Sequence, residues 1–260
     1  MNISICSYTF HQLTKAGVMN TFGYLESIKY RYGLATADLW HGTFTSLEEG
    51  YLTQVKEALA ERELSVSNIC IDRAFIWDDD PAVREANAQN AAVNIQAAEF
   101  LGAQTVRIDA GGTRDERAWN AQPFDMIVKG YQTWAQRAYD NGYRIGPENH
   151  WGAEMVPENI KKLCEAVDHP GFGLLLHAGR WHGDDTIAGD ELVAPWVMHT
   201  HFSPTLSEEA LTRTTTALRT TGYSGCYSVE VATTRAIRNR RWLSPACVMW
   251  ASVGGWVRGR

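Results

Sequence analysis

No run of apolar residues in this 260-residue chain approaches the roughly 18 that a membrane-spanning helix needs. The N-terminus, Met1-Asn2-Ile3-Ser4, has no basic region ahead of a long apolar one, so no export signal is expected and the chain reads as cytoplasmic. Cysteine is scarce: Cys6, Cys70, Cys164, Cys226 and Cys247 are an odd number, widely scattered, without a CxxC pair. That pattern argues against a disulfide framework and a thiolate zinc site, and Cys6, Cys70 and Cys226 sit in apolar runs as small core residues. Positive charge is in deficit, 24 Lys and Arg against 30 Asp and Glu for a net charge of -6, which offers nucleic acid no general attraction. Nucleotide-binding signatures are missing too. Gly171-Phe172-Gly173 lacks the third glycine of a dinucleotide loop, Gly222-Tyr223-Ser224-Gly225 is not a GxSxG elbow, and neither a P-loop nor an HExxH occurs.

What is present is an ordinary globular composition, 45% hydrophobic and 21% charged, with charge unevenly spread. Residues 231–260 hold six arginines and no acidic residue among Trp242, Trp250 and Trp256. This basic tail is expected to be a surface or an interface.

Short β-rich runs alternate with amphipathic stretches, the pattern of a parallel sheet with crossover helices. Strands are expected at residues 3–9, 35–40, 64–71, 104–108, 143–148, 173–177, 195–202 and 225–231. Ser46-Leu47-Glu48-Glu49 reads as a capping box for a helix through Glu63, and Asp80-Pro81 starts an Ala-rich helix that closes at Gly102. Further helices are expected at residues 124–141, 156–167 and 207–221. Eight strands in βα alternation over this length, with no linker or repeat dividing them, fit one domain, a (β/α)8 TIM barrel. Pro245 and Gly254-Gly255 interrupt the final stretch, so the last helix is expected to be irregular or missing.

In such a barrel the active site lies at the C-terminal strand ends. Four of these ends stand out: GPENHWG at residues 146–152, LLLHAGRW at 174–181, MHTH at 198–201 and YSVE at 227–230. Each sets a carboxylate or an imidazole directly after apolar residues, and burying several such groups together is costly unless a cation pairs them. Two carboxylates with two imidazoles suit Mn²⁺ first, and also Co²⁺, Fe²⁺, Zn²⁺ or Mg²⁺.

These segments, together with LGAQTVRIDAGG at 101–112, resemble the xylose isomerase-like TIM-barrel superfamily of sugar isomerases and epimerases, from about residue 3 to residue 230. The resemblance implies one divalent metal held by Glu148, His177, His201 and Glu230, with Glu148 and Glu230 also the acid/base pair. His177 stands where the family usually has Asp, which makes the site one negative charge lighter and softer. The likeness to endonuclease IV is weaker, since its extra His and Asp ligands are not apparent.

By the two-residue period, His150 shares a face with Glu148 and is expected beside the substrate, while His199 lies on the face of His201, deeper in the barrel or against substrate. Trp40, Trp151 and Trp181 near strand ends are expected to form an apolar wall against a sugar face or an aglycone, and Arg107, Asp109 and Arg180 to contact hydroxyls or a phosphate. Ordinary alternatives are an arginine-paired carboxylate for Glu148 or Glu230, a core histidine for His177 and a surface loop for His150.

The first functional expectation is isomerisation or epimerisation of a keto sugar or related polyol through a metal-stabilised enediolate. The superfamily also contains catalytic subunits of C-glycoside deglycosidases, which cleave 3-oxo-glucosides with a histidine base and a small partner subunit, so a lyase with His150 as base is the alternative. A barrel that only binds a sugar or a partner is third. A small carbohydrate or glycoside is the expected ligand, and a homo-oligomer or a hetero-oligomer with a small subunit the expected assembly.

Overall fold

In a computed structural model, residues 2–231 are described. The eight expected strands are all present: β1 (Asn2–Ile5), β2 (Thr36–Trp40), β3 (Ser65–Cys70), β4 (Thr105–Arg107), β5 (Arg144–Gly146), β6 (Leu174–His177), β7 (Val197–Phe202) and β8 (Cys226–Val229). They pair in parallel in the orders β1-β8-β7-β6 and β2-β3-β4-β5. Single parallel bridges close the two seams, Cys6 to Asp38 on one side and Glu148 to Leu175 and Ile145 to Phe172 on the other. The result is a TIM barrel. Helices on the outside and side chains on the inside bury both strand faces, which is why β4, β6, β7 and β8 are buried along their whole length.

The helices are α1 (His11–Lys15), α2 (Thr21–Glu26), α3 (Glu49–Glu61), α4 (Pro81–Leu101), α5 (Ala121–Asp140), α6 (Pro157–Val167), α7 (Thr186–Val193) and α8 (Glu208–Thr220). Helix α4 starts and stops on the residues that signal it: Asp80 accepts from the Ala82 N–H at 2.8 Å, Pro81 opens the first turn, and Gly102 closes it at φ 73°. The capping box ahead of α3 does not form. The Ser46 hydroxyl instead accepts from the Glu48 N–H at 3.0 Å, a local turn, and the helix begins at Glu49. Strand β1 is shorter than expected because the Thr9 N–H turns back onto the Cys6 carbonyl at 3.0 Å, and residues Ser7–Phe10 wind into a 3-10 turn over the barrel mouth.

Helices α1, α2 and α7 were not expected from the sequence. All are short, and α7 contains Gly189, where a Cβ would stand 2.7 Å from the Trp181 ring and 2.8 Å from Pro157. Helix α7 is capped by Asp185, which accepts from the Ala188 N–H at 3.0 Å, and its glycine lets it pack closely on Trp181 and Pro157. Among the described residues no helix is long and apolar enough to cross a membrane. The basic tail and the last helix fall outside the described residues.

Candidate active site and metal centre

Strand ends bring the four expected metal-ligating residues to one point. Glu148 is carried there by a tight approach of β5 to β6: a Cβ on Gly146 would stand 1.7 Å from the Gly173 carbonyl oxygen, and the Leu175 N–H donates to the Pro147 carbonyl at 2.9 Å. Only glycine permits that contact. His177 ends β6, with its N–H donating to Asn149 Oδ1 at 2.6 Å and its carbonyl accepting from Asn149 Nδ2 at 3.0 Å. His201 lies on β7, and the Glu230 N–H beyond β8 donates to the Phe202 carbonyl at 3.1 Å.

Glu148 Oε1 lies 2.9 Å from His177 Nδ1 and 3.3 Å from His201 Nδ1, and His201 Nδ1 lies 2.8 Å from Glu230 Oε2. One donor atom from each of the four residues falls within 4.8 Å of all the others. The electrostatics follow from this crowding. Burial would raise Glu148, but His150, His177 and His201 hold it well below the usual carboxylate range. Burial likewise opposes ionisation of Glu230, and His201 overcomes it. Burial disfavours the His201 imidazolium, yet Asp38 and Glu230 hold its pKa well above the usual range. The carboxylates thus draw positive charge to this point.

The donor set suits a divalent cation on a second ground. The far nitrogen of His201, Nε2, meets Asp38 Oδ2 at 2.9 Å, the arrangement that orients a metal-binding imidazole and raises its basicity while Nδ1 faces the cluster. Asp38 Oδ2 also takes His199 Nε2 at 3.0 Å and the Ser228 hydroxyl at 2.6 Å, and Oδ1 takes Asn68 Nδ2 at 3.0 Å. Despite burial, His199 and His201 hold Asp38 far below the ordinary carboxylate range.

Beside the cluster, buried Arg107 lies 2.9 Å from Asp72, 3.0 Å from Asp109 and, through Nε, 3.2 Å from Glu148 Oε2. His150 is set between Glu148 at 3.3 Å and Asp109 at 3.6 Å. Above them opens a cavity of about 190 Å³, lined by Tyr8, Trp40, Asp72, Arg107, Glu148, His150, Arg180 and Glu230 among others. Six of the expected site residues therefore line one cavity, with His177 and His201 buried beside Glu148.

Three expected substrate contacts lie elsewhere. Trp151 stacks on Phe75 at 5.9 Å and donates to the Gly112 carbonyl at 3.1 Å; Trp181 is buried and donates to Asp190 at 2.7 Å; His199 is buried below the cluster on Asp38. Past a strand end the two-residue alternation no longer holds, so position near the end did not fix which way these tryptophans face. Tyr8, Asp38 and Asp72 join the site beyond the expected residues. Asp38 had a legible signal, a carboxylate between Ala37 and Leu39 in an otherwise apolar strand.

Asp190 supplies a pH-dependent element under this site. It accepts from the Gly179 N–H, Trp181 Nε1 and the Thr214 hydroxyl, and burial pushes it from 3.8 up to about 6. The folded chain then holds this proton more tightly than the unfolded one between those values, so the contribution of Asp190 to stability grows as pH falls through that window and is absent at pH 7. Denaturant titrations of wild type and Asp190→Asn are expected to move apart by about 2 kcal/mol in favour of wild type between pH 7 and pH 4.5. A difference independent of pH contradicts the raised pKa.

The family model described as xylose isomerase-like TIM barrel matches residues 30–246. A comparison with curated proteins finds no match. Among solved structures, a D-tagatose 3-epimerase-like protein superposes with a TM-score of 0.73 at 15% identity, over 98% of this chain and 99% of the other. D-psicose 3-epimerase in the presence of D-fructose gives 0.70 at 16% identity, over 88% and 84%. The 3-keto-D-glucoside 4-epimerase from E. coli gives 0.65 at 16%, over 81% and 86%. At these identities the likeness establishes the fold.

Proposed function

The chain belongs to the xylose isomerase-like TIM barrel family, and from that premise we propose that it is a divalent-metal-dependent isomerase or epimerase of a keto sugar or related polyol. The observation that carries this reading is the convergence of Glu148, His177, His201 and Glu230 beneath a cavity the size of a small ligand. Those four residues would hold the ion, with Mn²⁺ the first choice for two carboxylates and two imidazoles. Bound there, it supplies Lewis-acid charge for a substrate carbonyl and the hydroxyl beside it.

The chain's own groups do the rest. Glu148 and Glu230 flank His201 Nδ1, at 3.3 Å and 2.8 Å, and both are held in their ionised form near neutrality, so they take a proton from the carbon next to the carbonyl and return it. Arg107 sets its positive charge 3.2 Å from the second oxygen of Glu148 and so favours the carboxylate's ionised form. Trp40, fixed by its 2.7 Å hydrogen bond to Asp72, offers a flat apolar face for the C–H side of a sugar.

A second reading has its own support, because His150 reaches the cavity between two carboxylates. In a lyase that cleaves 3-oxo-glucosides this imidazole would be the base; the 3-keto-D-glucoside 4-epimerase of this fold shares that substrate class but not that reaction. The His150→Ala variant separates the readings. In an isomerase it loses one orienting hydrogen bond, and kcat/KM falls by about 1 to 3 kcal/mol of transition-state stabilisation. In the lyase the loss is about a hundredfold or more and the near-neutral limb of the pH profile disappears. Steady-state kinetics on ketoses, inositol-type ketones and 3-oxo-glucosides decide between them.

A further inference from the structure

We infer that the substrate carries an anionic substituent, a carboxylate or a phosphate, and that Arg180 receives it; this rests on the sugar-binding reading of the cavity. The argument begins with the two arginines that line the cavity. Arg107 is buried and already neutralised by Asp72, Asp109 and Glu148. Arg180 is exposed, and among the described residues its guanidinium has neither an ion pair nor a hydrogen bond. It faces an acid-rich cavity, yet no carboxylate there is committed to it.

Its backbone is nevertheless held in place. The Arg180 N–H donates to the His177 carbonyl at 3.1 Å, and its own carbonyl accepts from Asn149 Nδ2 at 3.3 Å. Gly179 makes the turn before it at φ 69°, with its N–H on both oxygens of Asp190 at 3.0 Å. The side chain therefore starts from a fixed point three residues beyond a cluster residue rather than from a free loop.

Tyr8 provides a second donor lining the same cavity. Its ring is stacked on His11 at 4.4 Å and set edge-on to Trp40 at 5.1 Å, while its hydroxyl makes no hydrogen bond among the described residues. Burial, Glu230 and Asp72 push the phenol upward and keep it protonated as a donor, and Arg180 is near enough to act against that push. A guanidinium and a phenol O–H without protein partners, lining one cavity, match an anion better than a neutral hydroxyl. A neutral sugar seated against Arg180 would take water from the guanidinium without supplying a counter-charge, whereas a carboxylate or phosphate replaces that water bidentately. At about 190 Å³ the cavity holds roughly one sugar unit, so the charge belongs to the reacting molecule itself.

The test compares three ligands of one carbon skeleton, a ketohexose, its phosphate ester and the corresponding keto-uronate, by calorimetric binding to the Mn²⁺-loaded protein, with turnover of each assayed separately. The expected result is that one anionic ligand binds about tenfold or more tighter than the neutral ketose, which also tells phosphate from carboxylate. Arg180→Gln is expected to weaken that ligand by about 10- to 100-fold and the neutral ketose by less than about threefold, with Arg180→Lys recovering part of the loss. Equal binding of all three, binding of none, or an equal loss for all three in Arg180→Gln overturns the inference. Anion-selective binding without turnover sustains it while refuting the isomerase reading, and turnover without anion selectivity does the reverse.

Discussion

Glu230→Gln is expected to reduce kcat by about 10³-fold while the barrel keeps its thermal stability, a loss of about 4 kcal/mol of transition-state stabilisation. The amide is nearly isosteric and still places an oxygen toward His201, where the carboxylate now lies at 2.8 Å. What it cannot do is accept a proton. Glu230 is also the more exposed of the two cluster carboxylates, its side chain 13% exposed against 3% for Glu148, so it is the one better placed to exchange its proton between turnovers. Steady-state kinetics with Tm measured alongside check this, and near-normal turnover in the variant removes Glu230 from the acid/base role.

His177→Ala is expected to weaken divalent-metal binding by about a hundredfold or more. The imidazole is held to one orientation by its 2.9 Å contact with Glu148 Oε1 and by the two hydrogen bonds that lock its backbone to Asn149. Its loss leaves Glu148 with one fewer group to offset the burial of its charge. Calorimetric titration of chelator-treated wild type and variant with Mn²⁺ measures the effect directly. If His177→Ala binds Mn²⁺ as tightly as wild type, the strand-six ligand is wrong and the site is built from Glu148, His201 and Glu230 without it.

The barrel was legible because a buried parallel strand writes itself as a short apolar run, and each of the eight runs located a strand to within a few residues. The ligand cluster was legible for a related reason. Glu148, His177, His201 and Glu230 all stand at or just past the ends of such runs, where a polar residue is otherwise expensive. What the sequence hid depends on contacts between distant segments. Asp38 is explained by partners from three other strands, Asn68 on β3, His199 and His201 on β7 and Ser228 on β8. Tyr8 lies inside an apparent strand, and reaches the cavity only because the chain turns at Cys6. Trp181, by sequence an expected ligand wall, is the packing partner of Gly189 in the short helix α7 and the hydrogen-bond donor to Asp190. Glu154 shows the same limit: it is buried, burial and Asp109 push its carboxyl upward, and it accepts from the Ala110 N–H at 2.6 Å, a partner 44 residues away.

Proton exchange at carbon tests the central claim most directly. Mn²⁺-loaded protein is incubated in D₂O with a panel of ketoses, inositol-type ketones and 3-oxo-glucosides, and the recovered sugars are read by NMR and mass spectrometry. The account predicts deuterium at the carbon next to the carbonyl, dependent on Glu230 and on the metal, with no bond to an aglycone broken. Release of free aglycone from a 3-oxo-glucoside without deuterium entering any ketose, or no exchange on any member of the panel, contradicts it.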